Sequence, residues 1–575
     1  MRIGTIPASA RAVQASVPWL LVAAALLLAA RIWVAFTLHV NSDETQHLHI
    51  VWCWTQGILP YRDVFDNHAP LFHILHAPLL NLLRERADIV PLMRLSVIPW
   101  YALTVFLTFR LGEVLYSRGI GLAAAALVAV QPTFFSCSAE FRPNSAWAAA
   151  WTAAMLMAVG GPMDTRRAFG VGALAGLAVA FSIKSALLIT AALVAAGIVL
   201  LALAIQRRGP GWLATLRLAA ATSLGGAILP VSIANAFMAV GAGGAMFYCL
   251  FQHNAAAGLG HWSNAGARGW LFPMMLPVLG FAVHRGLDGN ADPLQGGSRA
   301  WVVATALVYL VLRASYQPLL DRQDLLPFVP MIAPFVAKLL LDVRVTVRRH
   351  VVPAAAFGTV LACEVALALA ATRPWSNQAR QYERELGTLL RLSRIGDCVM
   401  DDMGESIFRQ RPSYWILENV TVYRLLHVLM PDELVRDLID KGVMAGVFAR
   451  ETGADRQFIH DNYVAVAPRV DVSGKLFGAA RAGVPIAFRI ELPGRYAILA
   501  RRGPGTGVLD GVVYTAPRFL AAGVHEFVPA RDDEWALEWE RAARAGFSPF
   551  AAATPGRDAA SGGVAATGSS AASPP

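Results

Sequence analysis

The sequence predicts an α-helical protein that crosses a membrane about 11 times and continues into a separate α+β domain. Of its 575 residues, 56% are hydrophobic and only 15% are charged, whereas a typical soluble domain has about 25% charged residues. The mean hydropathy is +0.49. Apolar residues are gathered into runs of about 20, the length that crosses a bilayer as a helix. A purely soluble, disordered or coiled-coil protein is therefore excluded.

The first apolar run extends from Val17 to Val40. Apolar sequence resumes after Arg31 and no small-residue cleavage site follows, so we expect an uncleaved span rather than a signal peptide. The segment from Phe169 to Ile205 has 37 residues, too many for one span, and should turn at Ser182–Ser185. The further predicted spans are residues 91–109, 119–136, 145–162, 168–183, 185–205, 217–240, 269–284, 299–315, 325–341 and 351–372.

Lysine and arginine are distributed unevenly between alternate loops. One set, which includes the N-terminus, contains 15 of them and the other contains seven. Cytoplasmic loops carry the excess of these residues. The pattern predicts a cytoplasmic N-terminus and an extracytoplasmic C-terminal region, periplasmic if the protein lies in a bacterial inner membrane.

Charge and cysteine content exclude other partners. The formal net charge is +10, but the basic residues are mostly arginines between apolar runs, and no lysine-rich run or nucleic-acid module is present. We therefore expect no nucleic-acid partner. The five cysteines are scattered without a C-x-x-C pair, which predicts no zinc site and no disulfide framework. Neither a metal nor a cofactor is expected.

The chain should contain three regions: a transmembrane domain (1–374), a soluble extracytoplasmic domain (375–550) and a disordered tail (551–575). A polar helix near 377–394 should open the soluble domain. Its second half shows period-two alternation broken by glycine turns, which is typical of a small β-sandwich.

Two long outer loops lie within the transmembrane domain. Residues 41–90 contain two apolar pieces, 47–56 and 70–83, that are too short to cross and should lie as helices on the membrane surface. Residues 241–268 form the second loop. Its glycines and asparagines permit it to close over a site.

Several ionisable residues fall at the outer ends of the spans. Asp43 and Glu44 directly follow the first span, where an adjacent pair of carboxylates is suited to act as a base. The alternative is helix capping by Ser42 or Asp43, and the two roles are compatible.

Asp66 and His68 lie later in the same loop, before the second surface helix. A solvated turn is the alternative interpretation. His68, His73 and His76 also raise the question of a metal site. The metalloprotease motif H-E-x-x-H is absent, however, and histidines of an interfacial helix more often lie at headgroup level.

Three cations complete the set of candidates. Arg142 lies in a short outer loop, where it could instead pair with Glu140. Lys184 is the one charged residue in its long apolar segment, and it must either reach outward to water or meet an anion. Arg322 can form a forked contact with phosphate, and a local pair with Asp321 or Asp324 is the alternative.

The predicted topology places all of these residues on one side of the membrane. Apolar grooves would hold a lipid tail, cations would hold a phosphate, and a carboxylate would activate a nucleophile. The pattern therefore favours a lipid-borne anionic substrate. It predicts that Asp43, Lys184 and Arg322 share one pocket at the outer leaflet.

The motifs resemble those of the GT-C superfamily, the membrane glycosyltransferases that use polyprenyl-phosphate sugars. The sequence is most similar to family 39 relatives of protein mannosyltransferases and of the lipid A aminoarabinose transferase. The resemblance covers residues 15–345 and lies chiefly in the acidic pair at Asp43 and its spacing to GILPYRDVFDNHAPLFH. The segments FRPN, FSIKS and DRQDLLPFVP also resemble family positions.

This resemblance implies a GT-C fold and a polyprenyl-phosphate-linked sugar as donor, with membrane lipid as surroundings and a glycan, lipid or protein as acceptor. It implies that Asp43 is the catalytic base and that Lys184 and Arg322 suit the lipid phosphate. The family often has lysine at the position of His68 and aspartate at that of Asn144. The first departure weakens a phosphate role for His68, and the second makes a metal-assisted reaction less favoured.

Three other functions are compatible with parts of the pattern. A flippase or transporter for a lipid-linked glycan should show inverted repeats and charges at mid-membrane, whereas the charges here lie mostly at the outer ends. A glycan polymerase or ligase would be expected to use paired arginines in its large loops. A scaffold without catalytic activity would tolerate loss of the Asp43 carboxylate.

Overall fold

The structure is a computed structural model that describes residues 8–205, 211–255, 293–316, 322–343, 345–347, 350–352, 354–451 and 453–552. The chain divides into two compact units. One contains Met1–Glu383 with Glu418–Met430, and the other contains Arg384–Leu417 with Pro431–Pro575. The predicted span 269–284, residues 256–268 of the predicted loop 241–268 and almost all of the predicted tail fall outside the described residues.

The first unit is helical. Its helices in chain order are α1 (Ala8–Thr37), α2 (Ser42–Gln56), α3 (Leu71–Leu83), α4 (Ile89–Leu95), α5 (Ile98–Leu115), α6 (Arg118–Val130), α7 (Pro132–Cys137), α8 (Asn144–Val159), α9 (Thr165–Phe181), α10 (Ser185–Ile205), α11 (Trp212–Ala239), α12 (Gly243–Phe247), α13 (Pro293–Tyr316), α14 (Phe328–Asp342) and α15 (Ala355–Thr372). A short hairpin of β1 (Val345–Val347) and β2 (His350–Val352) precedes α15.

Within the described residues, six helical segments are long and apolar enough to cross a membrane. They are Pro18–Thr37, Ile89–Leu115, Ser185–Ile205, Trp212–Ala239, Gly296–Ala314 and Ala355–Thr372. The polytopic helical architecture is therefore confirmed, whereas the predicted total of about 11 spans is not. Helices α2 and α3 occupy the two predicted surface segments, although α2 begins five residues earlier than expected, at Ser42.

Helices α9 and α11 touch backbone to backbone. A Cβ atom added at Gly172 would fall on the carbonyl oxygen of Thr222, and one at Gly225 would fall on that of Phe169. Small residues spaced in this way let two helices approach closely. In a membrane, van der Waals packing rather than the hydrophobic effect stabilises such a contact. This pair therefore forms a stiff part of the helical unit.

Replacing one of these glycines should destabilise the protein. We expect Gly172→Ala to lower the midpoint of thermal unfolding in detergent, because overpacking against a backbone atom costs about 1–3 kcal/mol. The control is Gly197→Ala on α10, where a Cβ atom meets nothing within 4 Å. Equal unfolding midpoints for the two variants would contradict the close approach.

The second unit contains most of α16 (Ala379–Leu392), which accounts for the predicted polar helix. After α17 (Asn419–Leu426), which belongs to the first unit, the second unit contains α18 (Leu434–Asp440), β3 (Ala445–Gly446), α19 (Gly453–Asn462), β4 (Tyr463–Ala467), β5 (Val470–Ala480), β6 (Ile486–Ile490), β7 (Gly494–Ala500), β8 (Gly507–Leu509), β9 (Val512–Tyr514), β10 (Arg518–Leu520), β11 (Gly523–Pro529), β12 (Asp533–Trp539), α20 (Glu540–Arg544) and α21 (Pro549–Ala552).

These strands form two antiparallel sheets. One has the order β10-β7-β12-β5-β3 with β4 also paired to β5, and the other has the order β6-β11-β8-β9. A shared apolar core joins them: Phe488 and Phe527 of the smaller sheet pack with Ile498, Trp535 and Leu537 of the larger one. The predicted β-rich end of the chain is therefore confirmed.

Candidate active site

The start of α2 carries the acidic pair. Asn41 caps the helix: its backbone is extended and its Oδ1 accepts from the amide of Asp43 at 3.0 Å. The backbone amide of Asn41 in turn donates to Oε2 of Glu44. The sequence suggested Ser42 or Asp43 as the cap, which is wrong by one or two positions. Because capping falls to Asn41, the side chain of Asp43 is not consumed as the helix cap.

Glu44 is fully buried and completely engaged. Its carboxylate accepts from Nε and Nη2 of Arg94 at 2.8 and 2.6 Å, from the amide of Phe141 at 2.7 Å and from that of Asn41 at 3.0 Å. The remaining donors of Arg94 reach the carbonyl oxygens of Ala35, Leu38 and His39. This pair ties the end of α1, the start of α2, α4 and the loop after α7 together.

Asp43 differs from its neighbour in being accessible. About 28% of its side-chain surface is exposed, and one carboxylate oxygen contacts Nη2 of the buried Arg142. Arg142 also approaches Glu140, with Nη1 at 3.3 Å from Oε2. The predicted Glu140–Arg142 pair is present. Arg142 also contacts and orients Asp43, although the two residues are about 100 positions apart in the sequence.

Glu140 makes this cluster sensitive to pH. Burial raises the pKa of Glu140 to about 7, and the charge of Arg142 opposes the rise. The folded protein therefore holds this proton more tightly than the unfolded chain, whose carboxyl has a usual pKa of 4.5. Wild-type stability should fall as the pH rises through this interval.

We expect Glu140→Gln to remove the loss of stability that wild type shows as the pH rises. Relative to wild type, the unfolding midpoint of the variant should rise steadily between about pH 4.5 and pH 7 and change little above that. Thermal unfolding of both proteins in one detergent across this range measures the difference. The matched control is Glu113→Gln, since Glu113 is a partly exposed carboxylate that pairs with Arg110. If the difference in unfolding midpoint between wild type and Glu140→Gln is the same at every pH, the pKa of Glu140 is not raised in the folded protein.

Lys184 meets an anion rather than reaching to water. Its Nζ lies 2.7 Å from Oδ1 of the buried Asp324, although 40% of the lysine side chain stays exposed. The adjacent Ser185 accepts a hydrogen bond from the indole of Trp147 at 2.8 Å, which fixes this turn against the start of α8. Arg322 is exposed two residues before Asp324, in a short 3-10 turn.

The remaining candidates form a buried polar chain in the first loop. Oδ1 of Asp66 accepts from the backbone amide of His68 at 3.1 Å and lies 3.0 Å from its Nδ1. Oδ2 of Asp66 lies 3.4 Å from Nδ1 of His73. Nε2 of His73 in turn lies 2.8 Å from Nδ1 of His47, and both rings are buried.

The electrostatics of His47 connect several of these groups. Burial lowers the pKa of His47 well below its usual value, and the charges of His68, His73, Arg142 and Lys184 lower it further. Arg142 and Lys184 come from different parts of the chain, so the loop before α8 and the turn before α10 both lie within electrostatic range of this ring.

The turn that carries Arg322 belongs to the same neighbourhood. Leu326 at its end packs with Phe134 of α7 and with Ala139, in the loop that also carries Arg142. Among the described contacts, however, no bond joins Arg322 directly to the other candidates. Its membership of the cluster stays a prediction.

Three important residues were not among the sequence candidates. Arg94 and His47 lie inside apolar segments, and Asp324 was considered only as a local partner of Arg322. A charged residue in a membrane helix is a signal for a partner, which could have drawn attention to Arg94. No sequence spacing could have shown that Asp324 pairs with a lysine 140 residues away.

In the part of the chain that the structure describes, no group of three or more histidine, cysteine, aspartate or glutamate side chains is arranged to hold a metal ion.

Comparison with known proteins identifies the fold. A family model described as dolichyl-phosphate-mannose-protein mannosyltransferase matches residues 67–232. The structure is similar to that of apo ArnT from Cupriavidus metallidurans, with a TM-score of 0.51, 13% identity, and coverage of 80% of this chain and 98% of ArnT. A search of curated protein sequences finds no match.

The same ArnT bound to undecaprenyl phosphate matches with a TM-score of 0.50 and 12% identity, covering 79% of this chain and 97% of ArnT. The protein therefore has an ArnT-like GT-C fold. The resemblance predicted from the first-loop motif is confirmed at this level.

Proposed function

We propose that this protein transfers a sugar from a polyprenyl-phosphate donor to an acceptor outside the cytoplasm. The observation that carries the proposal is the accessible carboxylate of Asp43, which is held by the buried Arg142. The charges of Arg142 and Lys184 both act on the ring of His47, one helical turn after Asp43. A carboxylate for the nucleophile and cations for a phosphate are the two requirements of this reaction. The GT-C fold and the undecaprenyl phosphate bound to ArnT support the choice of donor.

The proposed reaction is a single inverting displacement. An oxygen or nitrogen of the acceptor attacks the anomeric carbon and forms the new glycosidic bond, while the bond from that carbon to the phosphate oxygen breaks. Asp43 takes the proton of the attacking group, a role typically worth about 10² to 10⁴ in rate. Polyprenyl phosphate leaves with the bonding electrons as a stable anion.

Lys184 and Arg322 are proposed to stabilise the charge that develops on this phosphate. Asp324 fixes the ammonium group of Lys184 at 2.7 Å, while the exposed part of the side chain leaves room for a phosphate oxygen. A fixed cation costs little reorganisation when the charge appears.

The other predicted site residues take supporting roles. Glu44 was grouped with Asp43 as catalytic, but its four hydrogen bonds and complete burial favour a role in positioning α2. Asp66 is likewise buried, so we propose that it acts through the histidines it contacts. In the pair formed by Asp66 and His68, only His68 is partly exposed, so we propose that His68 is the residue that contacts a substrate.

The protein is integral to a membrane, and we propose that this is a bacterial inner membrane with the N-terminus in the cytoplasm. The three-domain division at residues 374 and 550 is kept as a proposal, with the soluble domain facing the periplasm. The acceptor would be a glycan, lipid or protein on that side. The loop that contains residues 41–90 would form the floor of the reaction cavity.

Mixing the purified protein with undecaprenyl phosphate carrying mannose, glucose, galactose or 4-amino-4-deoxyarabinose tests the activity. Mass spectrometry would follow release of undecaprenyl phosphate, first with water as acceptor and then with cell-envelope extract. We expect one of the donors to be consumed. Binding of undecaprenyl phosphate alone is measured in parallel, and a protein that neither binds the lipid nor consumes any donor would refute the proposal.

Lys184→Ala should weaken binding of undecaprenyl phosphate about tenfold, since a hydrogen bond to a charged group contributes about 1.5–3 kcal/mol. The matched control is Lys338→Ala: Lys338 is 41% exposed and also pairs with an aspartate, Asp342, but it belongs to the predicted cytoplasmic set. Equal affinities for the two variants in a lipid-binding titration would remove Lys184 from the phosphate site.

A further inference from the structure

A short segment between two parts of the second unit belongs to the first unit. Residues Glu418–Met430 are assigned to the helical unit, whereas the chain on both sides of them belongs to the soluble one. The segment contains α17 and the turn that ends it. Leu426, Val428 and Leu429 expose their apolar side chains there, and 87% of the surface of Val428 is exposed. The proposed glycosyl transfer makes no use of these three residues.

Val428 is an unusual residue for the end of a helix. Its φ is 55°, in the left-handed region, and the amide of Leu429 donates back to the carbonyl oxygen of Arg424 at 2.8 Å. Glycine or asparagine usually occupies the left-handed position of such a turn, because a β-branched residue is strained there. Backbone strain and an exposed apolar side chain therefore coincide at one residue. This combination indicates that the valine side chain makes a contact of its own.

Helix α17 is held against the stretch of chain that follows α11. Nη2 of Arg424, in its last turn, donates to the carbonyl oxygens of Gln252 and His253 at 2.9 and 3.0 Å. Oε1 of Glu418, the residue before the helix, lies 2.9 Å from Nε2 of the buried His253. Both ends of α17 are therefore fixed to residues 252–253, a short distance along the chain from the end of α11 at Ala239.

The stretch between α11 and residue 252 stays close to the end of α11, which is long and apolar enough to cross a membrane. Helix α12 folds back on it: a Cβ atom added at Gly243 would lie 3.2 Å from the Cα atom of Met238. Phe247 and Phe251 are both exposed, with ring centroids 5.4 Å apart. Exposed phenylalanines beside the end of a span suit the boundary between lipid headgroups and acyl chains. We therefore expect this stretch at the membrane surface.

We propose that the end of α17, with Leu426, Val428 and Leu429, inserts into the headgroup layer of the bilayer that surrounds α11. Apolar side chains that are exposed together mark surfaces for binding proteins or membranes. The membrane is the partner here because α17 is hydrogen-bonded to the stretch of chain that leaves a membrane span. The inference goes beyond the proposed glycosyl transfer and does not depend on it.

The polar residues of the segment agree with this partner. In the sequence from 418 to 430, Glu418 and Arg424 are the only acidic residue and the only lysine or arginine. Both are engaged with residues 252–253, so insertion of the end of α17 buries no unpaired charge. His427 stacks on Tyr423 with ring centroids 4.0 Å apart, and tyrosine is enriched at headgroup level. Residues 384–417 of the second unit would then be flanked by membrane attachment on both sides.

Fluorescence from a single labelled position tests this insertion. The full chain carries Val428→Cys together with Cys363→Ala and Cys398→Ala, which remove the two native cysteines that are not buried. It is labelled with an NBD group and placed in nanodiscs of phosphatidylethanolamine and phosphatidylglycerol. We expect the emission to shift to shorter wavelength and to be quenched by doxyl lipids. A doxyl group near the headgroup should quench more than one near the end of the acyl chain, since interfacial segments reach about 5–10 Å into this boundary.

Three other labelled positions serve as references. Leu426→Cys, a second exposed position at the end of α17, should show the same pattern as Val428→Cys. Leu224→Cys lies in the middle of α11 and should be quenched more by the deeper doxyl group. Val513→Cys is the matched control, because Val513 is an exposed valine of β9 in the second unit. Its emission should stay at long wavelength and should not respond to doxyl lipids.

The outcomes are distinct. Quenching at residues 426 and 428, with the shallow doxyl group more effective, supports insertion into the headgroup layer. Long-wavelength emission without quenching at both positions would overturn the inference, because the end of α17 would then lie in water. Short-wavelength emission without quenching would also overturn it, since another part of the protein would then cover these side chains. None of these results alters the test of the glycosyltransferase proposal.

Discussion

Asp43→Asn should reduce sugar transfer by about 10² to 10⁴, the usual contribution of a general base. Asparagine keeps the size and shape of the side chain but cannot take a proton from the acceptor. The helix should still form, because Asn41 provides its cap and receives the amide of residue 43. Donor affinity should change much less than the rate, since the lost interaction is made in the transition state.

The measurement is the single-turnover rate with a saturating polyprenyl-phosphate sugar, together with lipid binding and the unfolding midpoint. Asp63→Asn is the control, because Asp63 is a carboxylate of the same loop that pairs with its exposed neighbour Arg62. A near-normal rate for Asp43→Asn in a folded, lipid-binding protein would remove Asp43 as the base. That result would favour the alternative functions of a flippase or a non-catalytic scaffold.

Arg94→Met should be the most destabilising substitution of the set. It leaves the buried Glu44 carboxylate without its two strongest donors and three backbone carbonyls without theirs. Removing one partner of a buried ion pair typically costs about 3–5 kcal/mol. Because Glu44 also holds the amide of Phe141, transfer activity should fall even in the fraction that folds.

Thermal unfolding and the yield of monodisperse protein measure this effect. The control is Arg110→Met, in the partly exposed Arg110–Glu113 pair, since ion pairs near the surface contribute about 0–1 kcal/mol. Combining Arg94→Met with Glu44→Gln should recover part of the stability, because the isolated charge is removed. Similar unfolding midpoints for the two arginine variants would contradict the central role of the Arg94–Glu44 pair.

The sequence predicted the membrane architecture because the signal is compositional. Long apolar runs require helices in lipid whatever their partners, and α2 and α3 could be placed because they are apolar but short. The turn at Ser182–Ser185 followed from length alone, and the structure ends α9 at Phe181 and begins α10 at Ser185. The β-rich end followed from the period-two pattern of its strands.

The candidate site was predictable as a group of residues but not as a set of contacts. Asp43 and Arg142 were both singled out, yet nothing local indicates that they pair. Glu44 shows the limit most clearly: its sequence position matches that of Asp43, and only burial and the distant Arg94 distinguish a positioning residue from a proposed base. Long-range pairing depends on helix packing, which sequence patterns do not specify.

The contact of α9 with α11 restricts how a lipid reaches the site. Two helices whose main chains touch at Gly172 and Gly225 cannot slide or part without breaking that contact. Any sideways opening for the proposed isoprenoid donor is therefore expected between other helices, with this pair moving as a single body.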